Sequence, residues 1–320
     1  MNIGLSSLFA HPVDESRASF ANITLTKGVL QSPGDTRLFL MRPLSYVLCD
    51  VFTDRPLTGN ALAVFTDASE LTAAQMQALA REMNLSESSF VVPASADADV
   101  GLRIFTPTME LPFAGHPTLG TALALAKGPN DVLRLKTGRG VVTVRFAGVT
   151  ESAGFGWMTQ PTPTREPFVP VRDLLTALGV RHATQPVELY DNGPRYVLVE
   201  LETSAEVAGL SPNLSRLAAF GSLAFVVFSQ HGERWKVRVF APGEGIPEDP
   251  ATGAAAGALA AHLTRHGRVA FGTEFLIEQG AEISRPSTLH ARAFGDSEQL
   301  ALVEVGGSGI IVARGEFTAY

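Results

Sequence analysis

The chain has a single cysteine, Cys49, among 320 residues. No intrachain disulfide can form, any mechanism that needs two thiols is excluded, and a reducing cytoplasm is the expected home. Charge is scarce too, at 18% of residues, and sums to −7. Phosphate backbones are bound by clustered Lys and Arg, so this balance argues against a nucleic-acid partner. Long apolar runs are missing: the best candidate, 217–228, is interrupted by Gly221 and Ser222 and falls well short of the ~20 residues of a membrane span. No membrane partner is expected. Nor does the N-terminus read as a presequence, because no positive charge precedes Leu8-Phe9-Ala10, and Asp14 and Glu15 follow. Metal-ligand spacing is weak. His262 and His266 stand four apart on an expected helix, but Leu263 occupies the position where a zincin motif needs Glu, so both read as ordinary exposed or half-buried histidines.

What is present is 45% hydrophobic residues over a length that favours two domains. Residues 1–43 lack sustained periodicity and read as a loosely ordered extension, with Met41 as an alternative start. From Leu44 the pattern is strand (44–52), a Gly59-Asn60 turn, and strand (61–65). A helix follows, opened by a Thr72/Gln75 capping box and carrying Met76, Leu79, Ala80 and Met83 on one face, with Asn84 as its stop. Ser86 to Ser89 then read as a lead-in to an apolar strand at 90–92. Further strands are expected at 132–135, 140–146, 155–159, 196–200, 224–228, 235–240, 274–277, 300–305 and 310–313.

Two stretches nearly repeat each other: Arg103-Ile-Phe-Thr-Pro…Leu-Pro-Phe-Ala-Gly-His116-Pro-Thr-Leu-Gly and Arg238-Val-Phe-Ala-Pro…Ile-Pro-Glu-Asp249-Pro-Ala-Thr-Gly. Each runs from a strand into a helix start marked by Pro, with an ionisable residue directly before it. Proline suits the first helical position, where its missing N–H would be unpaired anyway. This places Pro117 and Pro250 at the first turns and His116 and Asp249 at the N-caps. The helices that follow, 117–126 and 250–261, contain no charge, and a helix apolar all round is buried all round. The expected architecture is a helix sheathed by a curved sheet, twice, with Gln160-Pro-Thr-Pro-Thr164 as the crossing. Two half-sites would then face one cleft, where free N–H groups and positive helix ends suit a small carboxylate.

Each polar residue also has a plain structural reading. Asp before Pro is an ordinary N-cap, His116 can be a satisfied core histidine, and Glu87 can be a solvated loop carboxylate. Leu85 and Phe90-Val91-Val92 around Glu87 allow the other option, a buried base with a raised pKa. Gly306-Gly-Ser-Gly309 tempts as a phosphate loop, yet Ile310-Ile-Val follows as a strand rather than a helix.

Asp50-Val-Phe-Thr-Asp-Arg-Pro…Gly59-Asn60, Met83-Asn-Leu-Ser-Glu87-Ser-Ser-Phe-Val, Ala114-Gly-His116-Pro-Thr, Glu248-Asp249-Pro-Ala-Thr-Gly and the closing Val312-Ala-Arg-Gly-Glu-Phe together resemble the PhzF family of phenazine-biosynthesis isomerase-like proteins over 44–320. The resemblance implies an α+β fold of two pseudo-symmetric diaminopimelate-epimerase-like domains, each a mixed curved sheet wrapped round a central buried helix. Residues 44–160 with 306–320 would form the first domain and 161–305 the second. It implies a cofactor-independent isomerase, acting on a small carboxylated, dihydro-hydroxyanthranilate-like molecule. Glu87 would take a proton from ring C3 and return it to C1 on the same face, with His116 and Asp249 holding and polarising the substrate. Ser86, Gly115, Pro117 and Thr118 on one side and Thr252, Gly253 and Ala254 on the other would bind it. No metal is implied, and a homodimer is. One departure stands out: the phenazine enzyme has serine after Asp-Pro-Ala-Thr-Gly, where this chain has Ala254, and a lost buried hydrogen bond costs on the order of 1 kcal/mol. Two other readings share the fold. An amino-acid racemase would need Glu87 partnered by Asp249 or His116 on the opposite face of the substrate. A non-catalytic binding protein would leave Glu87 exposed.

Overall fold

The computed structural model describes residues 43–128, 131–296 and 298–318, so the expectation for 1–43 lies almost wholly outside the described residues. Among the described residues, seventeen strands form one hydrogen-bonded network of mixed direction. Its pairings close a ring. Leu44–Val51 lies beside Asn60–Phe65, then come Glu87–Val92, Val100–Phe105, Val132–Thr137, Gly140–Val149 and Ala153–Gln160, and Leu300–Phe317 returns to Leu44–Val51. Inside it lies the helix Gly115–Leu125, buried from Gly115 to Leu123.

The same order of parallel and antiparallel pairings recurs downstream. Arg195–Glu200, Ala224–His231, Arg234–Ala241, Phe275–Gln279, Ser287–Gly295 and again Leu300–Phe317 follow one another. Against them packs the helix Gly253–Arg265, buried from Gly253 to Thr264. Neither helix has a dry side and a wet side, because sheet surrounds what an amphipathic helix would show to water. The second is largely Ala and Gly, which lets strands approach it closely. No helix among the described residues is long and apolar enough to cross a membrane.

The Thr72/Gln75 capping box forms as expected, its two hydrogen bonds reciprocal, ahead of the helix Ala73–Met83 with Asn84 as left-handed C-cap. Three expectations are corrected. The expected pair 300–305 and 310–313 is one strand of 18 residues that runs straight through Gly306-Gly-Ser-Gly309. Those glycines do not break it; they make room for aromatic rings. A Cβ on Gly306 would lie 2.8 Å from the Trp157 indole, and one on Gly307 would enter the Phe52 ring. Glu87 is the first residue of a strand rather than part of a loop. Phe52 falls outside the first strand, at φ 63°, a conformation a bulky residue adopts only when its surroundings enforce it. Here its N–H donates to Ser308 O at 2.7 Å, and its carbonyl accepts from Thr288 N–H at 2.9 Å.

Candidate active site

The two buried helices begin against each other. A Cβ on Gly115 would stand 2.5 Å from the carbonyl carbon of Gly253 and 2.7 Å from its Cα, so the two first turns touch backbone to backbone. Both helices start later or earlier than the prolines suggest. The first begins at Gly115 with Ala114 as N-cap, leaving His116 and Pro117 inside the first turn. The second begins at Gly253 with Thr252 as N-cap. Asp249 is instead the last residue of the strand Ile246–Asp249, and Pro250 lies outside the helix. Proline is tolerated through the whole first turn, where no N–H has an intrahelical acceptor, so it marks the region of a start and not the residue. Neither start carries a side-chain cap. Two uncapped sets of N–H groups, each at a positive helix end, therefore converge.

Beside them lies a cavity of about 30 Å³, lined by Glu87, Ala114, Gly115, His116, Tyr196, Glu244, Asp249, Thr252 and Gly253, among others. Of the residues expected from sequence, Pro117, Thr118 and Ala254 are not on its wall. Thr118 turns its hydroxyl back to Ala114 O at 2.7 Å, within the helix. Ser86 is also off the wall but hydrogen-bonds the Asp249 carboxylate.

Asn60 holds the polar side chains together. Its Nδ2 lies 2.9 Å from Asp249 Oδ1, 3.0 Å from Ala251 O and 3.2 Å from His116 Nδ1. A proton on Nδ1 would face the amide hydrogens, so the ring proton sits on Nε2. That nitrogen points at Glu87 Oε2, 3.5 Å away. Both atoms are buried and neither has a hydrogen-bond partner. Buried polar atoms are nearly always paired, so a vacancy of this kind marks where a ligand group belongs. The loop before Asn60 is pinned by Arg285, which donates to Gly59 O at 2.8 Å and to Asp50 Oδ1 at 2.6 Å. Gly59, at φ +67°, has no room for a side chain against Thr53.

Asp249 is held on the other side. Gln279 Nε2 donates to Thr252 Oγ1 at 2.9 Å, which directs the Thr252 hydroxyl proton onto Asp249 Oδ2 at 2.5 Å. With Asn60 on Oδ1, both carboxylate oxygens already accept hydrogen bonds. Glu87 keeps one oxygen free.

The electrostatics follow burial. Glu87 is pushed well above the ordinary carboxylate range, first by burial and then by the Asp249 and Glu244 carboxylates. Asp249 is raised by burial, against the hydrogen bonds from Thr252, Ser86 and Asn60, and Glu244 is raised by burial despite the Ser222 hydroxyl. His116 is pushed down to about 3 by burial, so its ring is neutral at any ordinary pH. Cys49 is fully buried with its thiol raised to about 12, which removes it as a nucleophile. Two uncapped helix ends beside three acids present a small zwitterion with an anion site and a cation site. Asn60, Tyr196, Glu244 and Gln279 were not anticipated. Asn60 carried a signal as a turn residue and as part of a family motif but not as a site residue, and the others lie far along the chain with no motif of their own.

The sequence pattern of the phenazine biosynthesis-like protein family (PhzC-PhzF) matches residues 49–315. Among curated proteins, the trans-2,3-dihydro-3-hydroxyanthranilate isomerase of Pseudomonas chlororaphis is 47% identical over 271 residues, 84% of this chain and 98% of that protein. Among solved structures, a phenazine biosynthesis protein of the PhzF family from Bacillus anthracis aligns with a TM-score of 0.74 and 25% identity, covering 87% of this chain and 99% of that one. A hydroxyproline epimerase from Agrobacterium vitis shares the fold at a TM-score of 0.62 and 14% identity, covering 86% of this chain and 91% of that one.

Proposed function

This chain belongs to the phenazine biosynthesis-like protein family, and from that premise we propose an isomerase that moves one proton within a small cyclic amino-carboxylate, using Glu87 and no cofactor. The likeness to trans-2,3-dihydro-3-hydroxyanthranilate isomerase supports a substrate of that kind. The observation that carries the mechanism is the pair of unpartnered buried atoms, Glu87 Oε2 and His116 Nε2, facing one cavity. The substrate carboxylate takes the uncapped N–H groups at Gly115 and Gly253, and its amine faces Asp249 and Glu244. Glu87, ionised, removes the C3 proton, the electron pair delocalises through the ring diene, and the same carboxyl returns the proton to C1. His116, neutral and held in one tautomer by Asn60, donates from Nε2 to the substrate and orients it. A ring does not fit a cavity the size of one water, so the walls must part for entry. In this reading each buried helix with its own strands is one of two like domains.

A one-base mechanism is favoured over a racemase by Asp249, whose two oxygens are already occupied, whereas Glu87 has one free. Substrate deuterated at C3 tests it. Glu87 is shielded from solvent, so part of the label is expected at C1 of the product, read by mass spectrometry or NMR. Complete washout to solvent hydrogen would sink the single-base route.

The pH dependence has a definite sign. Glu87 must be ionised to act and its pKa is raised, so kcat/KM should climb with pH through one ionisation above the ordinary carboxylate range. His116 should add no limb of its own, because burial keeps its ring neutral. A kcat/KM that fails to rise with pH above the ordinary carboxylate range would overturn the assignment of Glu87 as the ionised base.

A further inference from the structure

At the far end of the helix Gly253–Arg265, away from the cavity, Glu188, His262 and His266 bring one ligand-type atom each within 4.8 Å of one another. We propose that these three residues bind a divalent transition-metal ion, Zn²⁺ fitting best, through one carboxylate oxygen and two imidazole nitrogens.

The distances support this. Glu188 Oε2 lies 3.2 Å from His262 Nδ1 and 3.0 Å from His266 Nε2. Neighbouring donor atoms on a tetrahedral zinc with bonds of about 2.0–2.1 Å stand about 3.3 Å apart. The pattern is also one that metals use: two histidines four residues apart on a helix, with a carboxylate from a facing strand. Tyr190 OH and His266 Nε2 both lie 3.0 Å from Glu188 Oε2, and His262 Nδ1 lies 3.2 Å from that oxygen and 3.3 Å from Tyr190 OH. With an ion in place, both imidazoles would turn lone pairs to it instead of protons to their neighbours.

The surroundings are compatible. Arg165 holds the other oxygen, Oε1, at 2.6 Å, so Oε2 is the one turned to Tyr190 and the two histidines. The site sits at the negative end of the helix dipole, which favours a cation. Nearby Glu200 also favours one, while Arg165 and Arg265 oppose it. His262 is 1% and His266 24% exposed at the side chain, so the ion would enter past His266, and a solvent water would complete the shell from that side. Tyr190 OH, 3.3 Å from His262 Nδ1, is the alternative fourth ligand. His262 lies about 14 Å along the helix from Gly253, so the metal would brace the helix against the strand Glu188–Asp191 rather than take part in the chemistry.

The test uses the full chain stripped with a chelator. Calorimetric titration with Zn²⁺ should give one equivalent bound. Co²⁺ should give the intense visible bands of four-coordination, lost on adding Zn²⁺. His266→Ala and Glu188→Gln should each weaken Zn²⁺ binding about a hundredfold or more, at least what loss of an outer-shell partner costs. Circular dichroism checks that each variant is folded. Three results would overturn the site: no stoichiometric binding, weak six-coordinate Co²⁺ bands, or unchanged affinity in a folded variant. The last would move the ion to a surface pair such as His231 and Glu278. Should one variant fail to fold, the other variant and the wild-type Co²⁺ spectrum still decide.

Discussion

Glu87→Gln is expected to lower kcat about a thousandfold, within the range that a positioned general base supplies, while raising the melting temperature of the protein. Both effects have one source. Glutamine keeps the size and the hydrogen-bonding shape of the side chain but cannot carry the proton, so binding should survive and turnover should not. The stability gain comes from the raised pKa of the buried carboxyl. Below the unfolded-state value of 4.5 both states hold the proton, and the group contributes its full stability. Between that value and the higher folded one, the unfolded chain releases its proton more readily than the native chain, so native stability falls as pH rises. Glutamine is exempt from that fall. Thermal unfolding should therefore show little difference between the two proteins near pH 4, a gain for the variant that grows through neutral pH, and a plateau above the folded pKa. Turnover unchanged in the variant would remove Glu87 from the mechanism, and equal melting temperatures across pH would contradict its burial.

Gly115→Ala is expected to damage both stability and activity. The added carbon meets backbone atoms of Gly253, not the tip of a side chain that could swing away. Something must separate the two helix starts, and both helices are enclosed by sheet that resists a shift. Overpacking a tight core costs about 1–3 kcal/mol and occasionally more; an upper-end cost lowers the melting temperature of a chain this long by roughly 4–5 °C. Activity should fall further than stability, because the substrate carboxylate is to be shared by two sets of N–H groups that no longer meet. Differential scanning calorimetry beside steady-state kinetics separates the two. Gly253→Ala gives an independent check, since its Cβ would press on the Phe52 ring at 2.8 Å and on Gly115 Cα at 3.1 Å. The double variant should depart from the sum of the two, as substitutions at contacting residues do.

Much of the scaffold was legible because it is written in local pattern. The capping box at Thr72 and Gln75, the two charge-free helices and the repeated strand-to-helix motif each depend on residues a few positions apart. The boundaries were less so. His116 and Asp249 were expected as equivalent N-caps, yet one sits inside a helix and the other ends a strand, because Pro117 constrains a first turn without selecting a position in it and Pro250 precedes its helix altogether. The glycines at 306–309 read as a break for want of a visible reason to sit in a strand, and that reason, Trp157 and Phe52, is far away in sequence. The least legible part was what organises the site. Asn60 reaches Asp249 across 189 residues of chain, and Gln279 sets the Thr252 proton from 27 residues away. Such contacts exist only once the sheets have formed. Glu188 shows the same limit. Its distance from His262 and His266 in sequence is why two histidines with no metal motif between them looked ordinary.

The strand Leu300–Phe317 has a consequence for how the molecule is made. It pairs with Leu44–Val51, Ala153–Gln160 and Ser287–Gly295, and so closes the first ring and ends the second run of strands. A nascent chain holds three strands with open edges until residues 300–317 emerge from the ribosome. Partners more than two hundred and fifty residues apart, such as Ser45 and Glu316, make the final closure slow, as non-local pairings generally are. During that interval the open edges are the places where two unfinished chains would stick together.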